Sequence, residues 1–349
     1  MIDIKLLEQL CLCNGISGDE GNVRNLIINE IKDCADDIKT DNLGNLIVFK
    51  KGKKSAKSKL MVSAHMDEVG LMVTDITSEG YLKFDEVGGI DRRVLPGKRV
   101  CVGRNGLNGV IGLKPIHLTN GDEKTAVPKM SDMYIDIGAE SREDALKYVN
   151  YGDGINFEGD FKINGKTVVT KALDDRFGCY VLINLIKSEP EYDMYFTFVV
   201  QEEVGLRGAR PAAFTVNPDF ALIIESTTAA DVAEVDAAHQ VCNLSKGATV
   251  TVMDRATVYD KEMISAAFEL AEKNNIAVQY KRAVAGGNDS GAIHQSRGGV
   301  RTLAVSLPSR YIHAPSTAAN LDDCESVLKL AKVLSDYNAG GNLAKGKTV

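Results

Sequence analysis

The texture of this chain changes twice, and no other feature constrains its fold as much. Up to about residue 69, Val23, Leu26, Ile27 and Ile31 fall on one helical face, with Glu30 as its polar interruption. Residues 46–49 and 60–64 are apolar runs of strand length. From residue 70 to 165, short β-like pieces separated by glycine turns take over (71–76, 99–102, 109–113, 133–137), interrupted by one short helix over 141–149. The alternation then resumes. Helices are predicted over 176–187, 261–274 and 322–337, and strands over 194–200, 220–225, 248–253 and 302–307. A chain that leaves one regime and returns to it folds most simply as one α/β domain, residues 1–69 and 166–349. That domain is a mixed sheet with helices on both faces, and a small β-barrel-like domain, 70–165, is looped out of it.

Composition narrows the function. The 349 residues suffice for two domains, and 44% hydrophobic with 26% charged residues is a globular balance. The net charge of −7 argues against a broad positive field, so neither nucleic acid nor an anionic membrane is an expected partner. The longest apolar runs fall far short of the roughly 20 residues of a membrane span. With Asp3, Lys5 and Glu8 among its first residues, the N-terminus lacks a secretory stretch, and a cytoplasmic location is expected. Seven cysteines, an odd number, read as reduced thiols, and Cys11 and Cys13 have no second Cys/His pair nearby to complete a zinc site. The tail, 338–349, is expected to fray.

Polar and acidic side chains collect where the apolar strands run out: His65 and Asp67, Glu202 and Glu203, and Glu225. Asp174 and Asp175 precede a helix, and His313 follows the strand at 302–307. In open α/β sheets, side chains from different strands converge beyond the strands' carboxyl ends. Taken singly, each has an ordinary reading: a core histidine, a helix-capping aspartate, a solvated loop glutamate. Taken together, several like charges beside apolar strands are costly unless something positive compensates. Histidines with carboxylates and no cysteine suit a catalytic zinc, cobalt or manganese site. Asp174, Glu203 and Glu225 bring three negative charges; one divalent ion leaves −1 and two give +1, which favours a pair. His117, His239 and His294 are taken as structural, His117 with the most suspicion because it lies in the inserted domain.

These residues resemble the M42 metallo-aminopeptidases, which include glutamyl and tetrahedral aminopeptidases. The resemblance spans nearly the whole chain: Ser63-Ala64-His65-Met66-Asp67-Glu68-Val69-Gly70, Lys171-Ala172-Leu173-Asp174-Asp175-Arg176, Gln201-Glu202-Glu203-Val204-Gly205, Gly286-Gly287-Asn288-Asp289 and Arg310-Tyr311-Ile312-His313. It implies two divalent metal ions bridged by Asp174, with His65 and Glu225 completing one and Glu203 and His313 the other. Asp67 would hold the His65 imidazole in its ligating tautomer, and Glu202 would be the general base, passing a proton from water to the leaving amine. The substrates implied are peptides with a free N-terminus, cut after the first residue. A homo-oligomer, dimer or dodecamer, is implied through the inserted domain.

Two positions depart from the common pattern of that family. Glu225 stands where aspartate is frequent, and Asn288 where threonine is. The first lengthens a ligand; the second is expected to bear on substrate contacts and to leave the metals untouched. The related M20 group uses a similar ligand order but carries its extra domain in the later interval. Here 109 positions separate His65 from Asp174 and only 88 separate Glu225 from His313, which favours M42. Two alternative functions come from other classes: an endoglucanase-type glycoside hydrolase using Glu202 and Glu225, and a non-catalytic oligomeric scaffold. The first is poorly served by a chain with no Trp and 6% aromatic residues, which offers few platforms for sugar rings.

Overall fold

A computed structural model describes residues 2–343. The chain opens with helices α1 (Ile4–Leu12) and α2 (Gly21–Ile31), then strands β1 (Asp37–Thr40), β2 (Leu46–Lys50) and β3 (Leu60–His65). Next come β4 (Gly70–Ile76), β5 (Leu82–Val87), β6 (Arg99–Val102), β7 (Leu107–Gly112), the short helix α3 (Gly121–Thr125), β8 (Tyr134–Asp136), α4 (Arg142–Ala145) and β9 (Gly154–Phe157). The remainder is β10 (Lys162–Asn164), β11 (Thr167–Thr170), α5 (Leu173–Lys187), β12 (Met194–Val199), α6 (Ala209–Val216), β13 (Phe220–Thr228), β14 (Ala248–Val250), α7 (Lys261–Lys273), β15 (Val278–Tyr280), α8 (Ser290–Ile293), β16 (Arg301–Arg310), β17 (Thr317–Asn320) and α9 (Leu321–Ala339).

Eleven strands form one mixed sheet in the order β1-β2-β12-β3-β13-β16-β17-β11-β10, with β14 joined to β16 and β15 to β14. Its centre is parallel: β3 pairs with β12 and β13, and β13 with β16. The flanks are antiparallel. Helix α5, buried along almost its whole length, packs on β3, β12 and β13 beside α1, α2 and α9. The six strands β4–β9 close into a separate antiparallel barrel in the order β4-β5-β8-β7-β6-β9, around its own apolar core of Leu71, Phe84, Val100, Ile135 and their neighbours. The alternation expected for a mixed α/β sheet with a barrel-like insertion is thus the architecture observed.

Local chemistry sets the helix ends. Asp260 accepts the N–H groups of Glu262 and Met263 at the start of α7, and Asn320 accepts that of Asp322 at the start of α9. In α5 the backbone of Asp174 and Asp175 is not helical, so the regular helix begins at Arg176, as the periodicity predicts. Strands β13 and β16 run longer than their apolar runs because a continuous parallel ladder, Phe220↔Arg301 through Thr228↔Ser309, carries polar residues that give no strand signal alone. β14 stops at Val250, short of the expected 253, and the helix expected at 141–149 is confined to Arg142–Ala145. Asn338 and Ala339 are helical and buried, so the tail does not fray from 338; residues 344–349 lie outside the described residues. All seven cysteines are free thiols. Among the described residues no helix is long and apolar enough to cross a membrane.

Candidate metal centre

The parallel centre of the sheet brings the sequence-predicted residues together. His65 is the last residue of β3, and the register sets Val199 of β12 beside it, so Glu202 and Glu203 follow just beyond the same edge. Glu225 lies within β13 opposite Ser306 of β16, whose chain continues to His313. Asp174 arrives from the non-helical start of α5, across a cis peptide to Asp175. Four residues around the site hold left-handed backbone: Ala172 (φ 53°), Gln201 (56°), Tyr311 (61°) and His313 (60°). Non-glycine residues are seldom held there unless the surroundings impose it, and such residues gather at functional sites.

Asp174 is the geometric centre. Its Oδ1 lies 3.4 Å from His65 Nε2 and its Oδ2 3.6 Å from His313 Nε2, while His313 Nε2 is 3.2 Å from Glu203 Oε2. One ligand atom each from His65, Asp174 and Glu203 falls within 4.8 Å of the others. His65 Nδ1 meets the main-chain carbonyl of Asp67 at 3.1 Å and its carboxylate at 3.5 Å, so the backbone oxygen is the nearer acceptor. The Asp67 carboxylate is occupied elsewhere as well. It accepts the Ser17 hydroxyl at 2.6 Å and the backbone N–H groups of Glu202 and Glu203 at 3.1 Å each, tying the end of β3 to the loop after β12.

The barrel supplies part of the wall. Gly88, at φ +85°, passes so close that a Cβ there would lie 2.8 Å from Val69 and 3.2 Å from Glu203, so only glycine fits that approach. Gly89 lies against His313, whose Nδ1 would be 3.8 Å from a Cβ at that position, and Phe157 of β9 lines the small cavity beside Asp174, Glu203 and His313.

Charge tests whether cations fit. In the chain alone, burial pushes the Glu202 and Glu225 carboxyls well above the usual carboxylate range and Glu203 up to about 7. Burial likewise raises Asp174, but its two imidazole neighbours overcome that and hold it well below the usual range. Burial opposes a charged ring at His313, yet Asp174 and Glu203 lift it to about 9, and His65 is raised in the same way by Asp174 and Asp67. Both shifts point the same way: the surrounding carboxylates favour positive charge at His65 and His313. Divalent cations offer the same compensation more completely, and oxygen and imidazole donors are the set that zinc, cobalt and manganese accept.

Sequence reasoning left several neighbours without a role. Asp289 is buried, its Oδ1 lacks a partner among the described residues, and burial lifts it to about 7. Asp175 is also buried and accepts the backbone N–H of His65. Asn288 does not stand apart from the proposed ligands: its Nδ2 donates to Glu225 Oε1 at 2.9 Å. The longer acid at 225 and the amide at 288 thus meet, which neither position shows by itself. His117 and His239 are exposed, and His294 bonds the carbonyl of Ser290 through Nδ1.

Comparison with known proteins agrees. The model of a family described as M42 glutamyl aminopeptidase matches residues 44–330. A putative aminopeptidase of Acetivibrio thermocellus is 44% identical over 327 residues, covering 93% of this chain and 96% of the relative. Among solved structures, a TET aminopeptidase from a marine sediment Thaumarchaeota archaeon superposes with a TM-score of 0.92 at 32% identity, over 97% of this chain and 98% of the other. The Pyrococcus horikoshii TET1 peptidase, described as assembling into a tetrahedron or a large octahedral shell, gives 0.84 at 40% identity over 95% and 98%. With the family model matched over residues 44–330 and the fold and nearly the full length shared with its relatives, the chain belongs to the M42 family of metallo-aminopeptidases.

Proposed function

We propose that the protein removes the N-terminal residue of peptides at a pair of divalent cations, zinc, cobalt or manganese. In this reading Asp174 is shared between the ions, His65 and Glu225 hold one, and Glu203 and His313 hold the other. The single observation that carries it is the placement of Asp174, whose two oxygens face two different imidazoles at 3.4 and 3.6 Å. When bound, such a pair would supply an activated water near neutral pH and electrostatic stabilisation of developing negative charge. Glu202 takes the proton of the attacking water and returns it to the leaving amine. Asp67 fixes the reach of Glu202 by accepting its backbone N–H, and with its own carbonyl it keeps the His65 ring oriented. The substrate's free α-amine would bind at the metal pair, which confines cleavage to the first peptide bond.

We further assign residues 1–69 and 166–349 to the catalytic domain and 70–165 to an inserted domain that mediates dimerisation. In this reading the dimer is the unit of any larger assembly, and the P. horikoshii relative is described as forming a tetrahedron or a large octahedral shell. Chelation is expected to abolish hydrolysis of amino-acid anilides, and Zn²⁺, Co²⁺ or Mn²⁺ to restore it. Glu202→Gln should lower kcat by about 10²–10⁴-fold while retaining both ions. Hydrolysis indifferent to chelator, or a Glu202→Gln enzyme as fast as the parent, would overturn the assignment.

A further inference from the structure

Beside the proposed ligands, a buried chain of hydrogen bonds runs from a loop to Glu225. Asp254, Tyr259 and Asn288 are all nearly inaccessible to solvent. Asp254 Oδ1 accepts the N–H groups of Ala256 and Thr257 at 2.8 Å each, which pins it to its own turn, and its Oδ2 takes the Tyr259 hydroxyl at 2.6 Å. A phenol has one proton, and that contact uses it. The Tyr259 oxygen is then an acceptor toward Asn288, whose Nδ2 lies 2.8 Å away. Asn288 Oδ1 accepts the N–H of Ser290 at 2.9 Å, which fixes which end of the amide is nitrogen. The second proton on Nδ2 goes to Glu225 Oε1 at 2.9 Å.

We infer that Asn288 is a positioning residue for Glu225: held by Tyr259 and Asp254, its amide occupies Oε1 and leaves Oε2 for a divalent cation. The inference rests on reading Glu225 as a cation ligand. A neutral donor suits this place. It orients the carboxylate without neutralising it, whereas a lysine or arginine there would compete with the cation for the same negative charge. Glutamate has one more rotatable bond than aspartate, so a ligand of this length has more freedom to lose, and a fixed partner for one oxygen removes part of it.

The test is calorimetric titration of the metal-stripped full-length protein with Co²⁺ alone, followed also through the visible bands of the bound ion. The parent is expected to take up two ions and Glu225→Ala one. Asn288→Ala should keep two sites but weaken one by about 10–100-fold and shift its visible bands. Asn288→Asp keeps the volume and the acceptor for Ser290 while turning an acceptor toward Glu225, so it should weaken that site at least as much. Tyr259→Phe, which leaves the amide in place, should weaken it less. A merely structural role predicts lower melting of the cation-free variants with unchanged Co²⁺ affinity. If Asn288→Ala and Asn288→Asp both titrate like the parent while Glu225→Ala loses an ion, the inference fails and the ligand assignment stands. If Glu225→Ala keeps both ions, the assignment of Glu225 fails and takes this inference with it.

Discussion

Asp323, in the first turn of α9, shows what burial does to a carboxylate distant from the candidate centre. It accepts the N–H groups of Ser245 and Gly247, yet burial outweighs those bonds and raises its carboxyl from 3.8 to about 6. A folded value above the unfolded one means that its contribution to stability is fully present below about pH 4 and is lost as pH rises through 6. Relative to Asp323→Asn, the parent should therefore lose on the order of 2 kcal/mol between pH 4 and pH 7, measured as the difference in urea unfolding free energies across that range. A flat difference would contradict the burial argument. The same scale shows which site residues can be read without coordinates. His65, Glu203, Glu225 and His313 stand where apolar strands give out, and their position along the chain marks them. Tyr259 and Asp254 sit in a loop between a strand and a helix with nothing in their spacing to connect them to Glu225, and only the folded packing brings them together.

At the scale of elements, one side chain joins three of them. The buried Arg176 guanidinium donates to the carbonyls of Leu10 and Cys13 at the end of α1, of Gly15 beyond it and of Met66 after β3, and to the Glu68 carboxylate. Lys171 completes the cluster through Glu68 and Asn14. Lysine has three donors where arginine makes five bonds here, so Arg176→Lys removes at least two hydrogen bonds of this cluster. The expected loss is at least about 2 kcal/mol, seen as a lower urea midpoint with an unchanged slope. Periodicity located the elements that bury a continuous apolar face: α2, α5, α7, α9 and the four central strands. It passed over α1 and α6, and it missed β1, β10 and β17, which are short or largely polar and exist because a neighbour supplies their ladder. The change of texture at residue 70 was legible because glycine turns replace helical spacing for the length of the barrel. The closure of six strands around one core depends on pairings that no local signal announces.

At the scale of the molecule, the barrel domain exposes three large apolar side chains between β7 and β8: Ile116 (73% exposed), Leu118 (60%) and Val127 (49%). Under the dimerisation proposed for the inserted domain, these side chains make this face the expected contact between copies. The double substitution Ile116→Glu with Leu118→Glu should lower the mass measured by light scattering and shift thermal unfolding of the separated chain little, since surface changes are usually within about 0.5 kcal/mol. An unchanged mass would place the contact elsewhere. The barrel's first and last strands are hydrogen-bonded neighbours, Leu71 beside Ile155 and Met72 beside Gly154. The chain therefore leaves the sheet and comes back through a single narrow doorway, so the whole insert is a cassette. A lineage can swap or reshape it at the cost of rebuilding one small stretch of wall.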